Sequence, residues 1–315
     1  MKIFSSNGSL SLSYDIIDEL NNLNTEDEQF KLGDLSIDRF SDGEILPIFK
    51  ESIRDEDVYF IQTTNTSDSI IETLLIIDAA KRSGCKTFTL VAPFMGYSRQ
   101  DKTDHLRSSI GSKMIADILE KVGMSKLITI DLHASSIQGF YNVPVIHLNG
   151  NKVFIDYIKS LKMDNMCILS PDQGAVKRAS DFCKAFPEST FAMINKKRIK
   201  PNEIHSMEIV GDVTGKNVII VDDMIDTGGT LNKAAKLIME QGALSVRAVA
   251  THGVLSGSAF YNIENSELTE VLVSDSIRHE EFCGKKIKFV GCSKLIAKSI
   301  QSIRLKKSIN EINAI

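Results

Sequence analysis

One stretch, Val218-Ile-Ile-Val-Asp-Asp-Met-Ile-Asp-Thr-Gly-Gly-Thr-Leu231, limits the folds open to this chain more than any other. Val218 to Val221 is an unbroken run of β-branched apolar residues, as a parallel strand covered on both faces requires. Asp222 and Asp223 follow at its carboxyl end, where open α/β sheets bind ligands. Thr227, Gly228, Gly229 and Thr230 then place backbone N–H groups at the start of a helix, whose positive dipole end favours an anion such as phosphate. Leu231, Ala234, Ala235 and Ile238 recur at helical spacing, and Gly242 marks the helix end. Two carboxylates beside a phosphate would repel it, so they must face sugar hydroxyls or a hard cation such as Mg2+. A turn with two solvated aspartates is the plainer reading. The combination of run, carboxylates, glycine pair and helix argues against it.

A chain of 315 residues exceeds one ordinary core and predicts two α/β domains. The net charge of −4 argues against a broad nucleic-acid surface. The first residues, Met1-Lys-Ile-Phe-Ser-Ser-Asn-Gly, lack a long apolar core, and no stretch approaches a membrane span, so the expectation is a soluble, cytoplasmic protein with no membrane partner. Cys85, Cys167, Cys183, Cys283 and Cys292 form no C-x-x-C pair, which predicts reduced, mostly buried thiols.

The order of elements repeats. Val58-Tyr-Phe-Ile-Gln-Thr-Thr leads into Ser67-Asp-Ser, an apolar-periodic helix over Ile70 to Ala80, Gly84, and a strand over Thr87 to Ala92. In the second half Val218 to Val221, the Thr-Gly-Gly-Thr turn, a helix, Gly242 and a strand over Val246 to Ala250 keep the same order. Gln62 and Thr63 stand where the second copy has Asp222 and Asp223, so only the second copy keeps the acidic sugar site. Leu127 to Asp131, Met166 to Leu169 and Phe191 to Ile194 read as further strands, with helices over Gly111 to Val122 and Gly174 to Ala185. The fold class is α/β: two tandem similar domains, 1–148 and 149–315, each a mostly parallel sheet flanked by helices.

Loops of the first half carry a second set of chemistry. In Arg39-Phe-Ser-Asp-Gly-Glu44, Phe40 can stack on a base while Asp42 and Glu44 accept hydrogen bonds from an exocyclic amine. Tyr97-Ser-Arg-Gln-Asp-Lys102 sets Arg99 and Lys102 where a polyphosphate could be gripped. The opening stretch resembles the phosphoribosyl pyrophosphate motif of the type I phosphoribosyltransferase fold. Together with both loops, Asp131-Leu-His-Ala-Ser-Ser-Ile-Gln-Gly-Phe140, Ser170-Pro-Asp-Gln-Gly174, Asn195-Lys-Lys-Arg198 and Gly211-Asp-Val, all in family order, it resembles the ribose-phosphate pyrophosphokinase family from Arg39 to about Gly257.

That resemblance implies transfer of the β,γ-diphosphoryl group of ATP to the 1-hydroxyl of ribose 5-phosphate, giving phosphoribosyl pyrophosphate and AMP for nucleotide biosynthesis. It implies ATP contacts from Phe40, Asp42, Glu44, Arg99, Gln100, Asp101 and His133. Asp172, Asp222, Asp223, Asp226, Thr227, Gly228, Gly229 and Thr230 are implied for ribose 5-phosphate, and His133 with Asp172 for Mg2+. Lys196 and Arg198, on the basic run Lys196 to Lys200 that follows a strand, are implied to stabilise the transition state from a mobile loop. The family forms homodimers that assemble into hexamers, with Phe40 reaching a neighbour's ATP site. A phosphoribosyltransferase acting on a base shares the Asp222 to Thr230 cradle but has no need of Phe40, Arg99 or His133. A catalytically silent relative would lose residues such as Lys196, which this chain keeps. Lys102 to Ile110, Ser136 and the C-terminal Lys307-Ser-Ile-Asn-Glu-Ile-Asn-Ala-Ile315 depart from the family pattern and bear on regulation and subunit contacts.

Overall fold

The computed structural model describes residues 1–24, 29–103, 105–200, 203–279 and 284–314, the side chains of 197–200 and 203–206 aside. The chain divides into two compact units, Met1–Asn149 joined by Ser293–Asn313, and Gly150–Cys292. The sequence predicts that the whole of 149–315 belongs to the second domain. Instead, the segment from Ser293 returns to the first unit, by a contact between distant parts of the chain that no local pattern announces.

In the first unit β1 (Lys2–Ser5) leads through α1 (Leu10–Leu23) to the hairpin β2 (Leu35–Arg39) and β3 (Ile45–Phe49). Then follow β4 (Asp57–Ile61), α2 (Ser67–Arg82), β5 (Thr87–Ala92), α3 (Gly111–Val122), β6 (Lys126–Ile130) and β7 (Val145–Leu148). The five strands β1-β4-β5-β6-β7 form one parallel sheet, and the hairpin pairs only with itself. Alternate residues Val58, Phe60, Phe88, Leu90, Ala92 and Leu127 share a core with Ile76, Ile77, Ile115 and Leu119 of α2 and α3. Thr66 caps α2 and Ser69 returns the bond, which stops the helix from fraying at its start.

The second unit runs α4 (Asn151–Ser160), β8 (Met166–Ser170), α5 (Val176–Cys183), β9 (Thr190–Lys200), β10 (Glu203–Val210), β11 (Asn217–Ile225), α6 (Gly229–Glu240), β12 (Ser245–Gly253), α7 (Ala259–Glu264), β13 (Glu270–Ser274) and β14 (Ile287–Val290). Its sheet order is β10-β9-β8-β11-β12-β13-β14, antiparallel only between β9 and β10. From β8 through β14 this order matches β1-β4-β5-β6-β7 strand for strand, so the repeat in the sequence is a repeat of topology. Cys167, Leu169, Val218, Ile220 and Val246 pack with α6, while Ile168, Ile219, Val221 and Val249 pack with α4 and α5. Both faces of β11 are therefore covered, and each of its fully buried Val and Ile side chains contributes roughly 1.5–3 kcal/mol. Finally α8 (Ser293–Arg304) and α9 (Asn310–Asn313) complete the first unit, with Gln301 Nε2 donating to the Leu23 carbonyl at 2.7 Å.

Two local expectations are corrected. The run from Lys196 is no loop: β9 continues through it to Lys200, because β10 pairs antiparallel with it and sets Lys196 opposite Met207. Asp222 and Asp223 lie inside β11, which extends to Ile225 because β12 accompanies it as far as Gly253. Of the five cysteines, Cys167 and Cys292 are buried, Cys85 and Cys183 are half-buried and unpaired, and Cys283 lies outside the described residues.

Candidate active site

β8 accompanies β11 only as far as Ile220, opposite Leu169. Beyond that point β11 keeps one neighbour, and its free edge carries Asp222. Burial, and then the neighbouring Asp223 carboxylate, push the Asp222 carboxyl well above its ordinary value, with Asp172 adding further repulsion. The Asp223 N–H donates to Asp222 Oδ1 at 2.9 Å, which partly offsets this. Asp223 itself is 7% exposed. Crowded carboxylates of this kind call for a cation or for hydroxyl donors.

Asp226 to Thr230 form the turn into α6. Ser256 Oγ donates to Asp226 Oδ1, and Asn262 Nδ2 donates to the Thr227 carbonyl at 2.8 Å. Gly228 takes φ of +72°, and a Cβ there would meet Ile263 and the Ala259 carbonyl at 3.3 and 3.4 Å, so α7 closes the far side of the turn. No side chain caps the N-terminus of α6, while Thr227 and Thr230 are exposed. First-turn N–H groups without a side-chain cap, on a twelve-residue helix, suit an anion.

Asp172 sits in the turn between β8 and α5. It accepts from the Ala175 N–H at 3.2 Å through Oδ1 and from Lys196 Nζ at 3.1 Å through Oδ2. Ser170 Oγ ties the turn down by donating to the Asp172 carbonyl at 2.7 Å. Thus Lys196, on β9, meets Asp172 and Asp222 meets Asp223 at one end of the sheet. The Arg198 side chain lies outside the described residues.

In the first unit Phe40 caps the hairpin at 53% exposure, with Asp42 and Glu44 exposed beside it. The hairpin is closed by the Phe40 N–H to the Glu44 carbonyl and the Gly43 N–H to the Phe40 carbonyl, each 2.9 Å. Arg39 secures it to α2 through Asp68 at 2.5 Å. Arg99 and Gln100 are exposed and Asp101 half-buried on the loop after β5, where Tyr97 holds a positive φ of 60°. His133 is exposed beyond β6, two residues after buried Asp131, whose φ is +37°. Left-handed conformations at Tyr97 and Asp131 cost roughly 1–2 kcal/mol each. Sequence reasoning missed Ser256 and Asn262, which support the turn, because their only signal is tertiary contact. Among the described residues no three His, Cys, Asp or Glu side chains enclose an ion by themselves, and no helix is long and apolar enough to cross a membrane.

Comparison with known proteins gives these sites a context. The family described as the N-terminal domain of ribose phosphate pyrophosphokinase matches residues 1–123, and the phosphoribosyl synthetase-associated domain matches residues 163–313. The ribose-phosphate pyrophosphokinase of Porphyromonas gingivalis is 44% identical over 283 residues, covering 89% of this chain and 90% of the relative. That of Vibrio parahaemolyticus is 41% identical over 315 residues, covering 98% of each. The crystal structure of phosphoribosylpyrophosphate synthetase from Mycobacterium smegmatis superposes with a TM-score of 0.87 at 32% identity, covering 97% of this chain and 99% of that one. With two family domains in order and relatives matched along nearly its whole length, this chain belongs to the ribose-phosphate pyrophosphokinase family of enzymes.

Proposed function

We propose that the chain transfers the β,γ-diphosphoryl group of ATP to the 1-hydroxyl of ribose 5-phosphate, yielding phosphoribosyl pyrophosphate and AMP. The observation that supports this most is the pairing of an anion-ready α6 N-terminus with the crowded carboxylates of β11. Thr227 to Thr230 bind the 5-phosphate through backbone N–H groups and hydroxyls, and Asp226, Asp222 and Asp223 take the ribose hydroxyls. Phe40, Asp42 and Glu44 serve the adenine; Arg99, Gln100 and Asp101 serve the ATP phosphates.

In the reaction the 1-oxygen of ribose 5-phosphate forms a bond to the β-phosphorus of ATP and loses its proton. The bond from that phosphorus to the bridging oxygen of the α-phosphate breaks, and AMP leaves. Charge spreads over phosphoryl oxygens, so positioned cations supply most of the acceleration. Lys196 has its head group on a candidate ligand position already, at Asp172 Oδ2, and Lys196 with Arg198 are proposed to neutralise that charge. Mg2+ fits the carboxylates present: Asp172 offers hard oxygen donors, and the Asp223 and Asp172 charges that raise the Asp222 carboxyl would be offset by a cation; His133 is the imidazole proposed with Asp172 for that role. Among the described residues no group of three His, Cys, Asp or Glu could hold an ion, so Mg2+ bound here would need further ligands from water or substrate. When bound, Mg2+ polarises the phosphoryl oxygens and masks their charge.

A homo-oligomer, a hexamer built from dimers, and a cytoplasmic location are part of the same proposal. Ile71 and Leu75 on α2, and Met114 and Ile118 on α3, are apolar pairs one helical turn apart and 37–51% exposed, as subunit contacts require. The test is incubation of the chain with ATP, Mg2+, ribose 5-phosphate and inorganic phosphate, with AMP measured by chromatography. AMP that depends on ribose 5-phosphate is expected; none overturns the proposal.

A further inference from the structure

The turn that presents His133 is held from outside by a side chain. The β6–β7 ladder ends with Ile130 opposite Leu148, and the Asp131 N–H adds one more bond to the Leu148 carbonyl at 3.1 Å. Asp131 then turns left-handed, and the next N–H, on Leu132, has no backbone acceptor in the ladder while the residue is 3% exposed. A buried N–H must find a partner. It donates to His147 Nε2 at 2.9 Å. Because an amide can only donate, Nε2 is the accepting nitrogen of this bond; the other ring nitrogen, Nδ1, lies 3.2 Å from Gln138 Nε2, which also donates to the Ser135 carbonyl at 3.0 Å.

His147 is fixed in its turn by the far end of the chain. Asn313 Nδ2 donates to the His147 carbonyl at 2.9 Å, and the Asn149 N–H donates to Asn313 Oδ1 at 3.2 Å. One side-chain amide thereby satisfies the donor and acceptor at the end of β7, as a neighbouring strand would.

We propose that His147 and Asn313 are positioning residues: Asn313 clamps the end of β7, and His147 thereby holds the Leu132 amide and sets the His133 turn for MgATP. The inference rests on the reading of His133 as an ATP-side residue. Residues that orient a ligating histidine typically cost about 10–100-fold in affinity or activity when removed. The loss here should fall on ATP and spare ribose 5-phosphate.

The test uses the full chain as wild type, Asn313→Ala, His147→Ala and His147→Gln, whose amide oxygen can accept the Leu132 N–H. Two quantities are measured: hydrogen exchange of the Leu132 amide in the protein alone, and equilibrium binding of a non-hydrolysable ATP analogue with Mg2+ and, separately, of ribose 5-phosphate. Expected are faster Leu132 exchange and about tenfold weaker analogue binding in both alanine variants. Ribose 5-phosphate binding should stay unchanged, with His147→Gln recovering most of both losses. Unaltered Leu132 exchange in both alanine variants overturns the clamp. So does equal weakening of both ligands, which would mark general damage to the fold. If the wild type binds no ATP analogue, the functional reading fails, and the exchange result still decides the clamp.

Discussion

Lys196 donates from Nζ to Oδ2 of Asp172 at 3.1 Å, with the lysine side chain 10% exposed and the aspartate 41%. A proposed catalytic cation is thus held against a proposed metal-side carboxylate in the turn that follows the neighbouring strand β8. Asp172 would offer its oxygens to Mg2+, and Lys196 would then be available to charged phosphoryl oxygens. Because β9 extends through Lys196 with β10 beside it, the ammonium is placed by a strand and not by a free loop. Lys196→Ala is expected to lower turnover by about 10²–10³-fold, the usual loss of one charge-stabilising donor. Binding of ATP should persist. AMP production under saturating substrates checks the first statement and calorimetry the second; unchanged turnover removes Lys196 from the mechanism.

Asp222 exchanges stability for binding. Its carboxyl is raised well above the ordinary 3.8, by burial first and by Asp223 second, so the folded chain binds a proton there that the unfolded chain has released. In that pH window stability falls as pH rises, and above the folded value the cost is complete. Asp222→Asn removes the cost. The variant should melt at a higher temperature than wild type at neutral pH, with the difference shrinking in acid, while ribose 5-phosphate binding is lost. A lower melting temperature at pH 7 would show that the carboxylate is already compensated in the folded protein.

What could be read in the sequence was whatever neighbouring residues decide. The strand Thr87–Ala92 and the helix Gly111–Val122 appear at the predicted bounds because an apolar run and an apolar stripe are each closed by Pro or Gly. The Asp222 to Thr230 cradle was legible for the same reason: strand, carboxylates and turn are contiguous. Lys196 was misread as loop because only pairing with β10, a partner whose own segment looks polar, makes that basic run a strand. The return of Ser293–Asn313 to the first unit, the Lys196–Asp172 pair and the Ser256 and Asn262 props all depend on contacts across the fold. Period and composition carry no trace of them.

The loop bearing Arg99 depends on one missing methyl group. A Cβ on Gly96 would lie 2.1 Å from the Thr64 carbonyl oxygen, and that carbonyl is backbone held by the Thr64 N–H to Phe94 at 3.1 Å. Gly96 N–H also donates to Thr64 Oγ1 at 3.0 Å, so neither partner can step aside without breaking the other's bonds. Gly96→Ala should destabilise the chain by about 1–3 kcal/mol, the ordinary cost of overpacking. It should also displace Tyr97 to Lys102. ATP affinity is expected to fall while ribose 5-phosphate affinity holds. Equal affinity for ATP in variant and wild type would place the ATP phosphates elsewhere.

Subunit assembly can be tested on the apolar pairs of α2 and α3. Met114 is 47% exposed and Ile71 51%, and an exposed charge at either costs the isolated chain little because neither side chain is buried in it. In an interface the same charge would be buried without a partner, which opposes association strongly. Ile71→Asp with Met114→Glu is therefore expected to keep its circular dichroism and shift to a smaller species in light scattering. If the adenine site includes Phe40 of a second copy, that smaller species loses turnover, and raising protein concentration restores part of it. A variant pair that assembles as wild type does would move the contact to another surface, and a fully active monomer would separate the ATP site from assembly altogether.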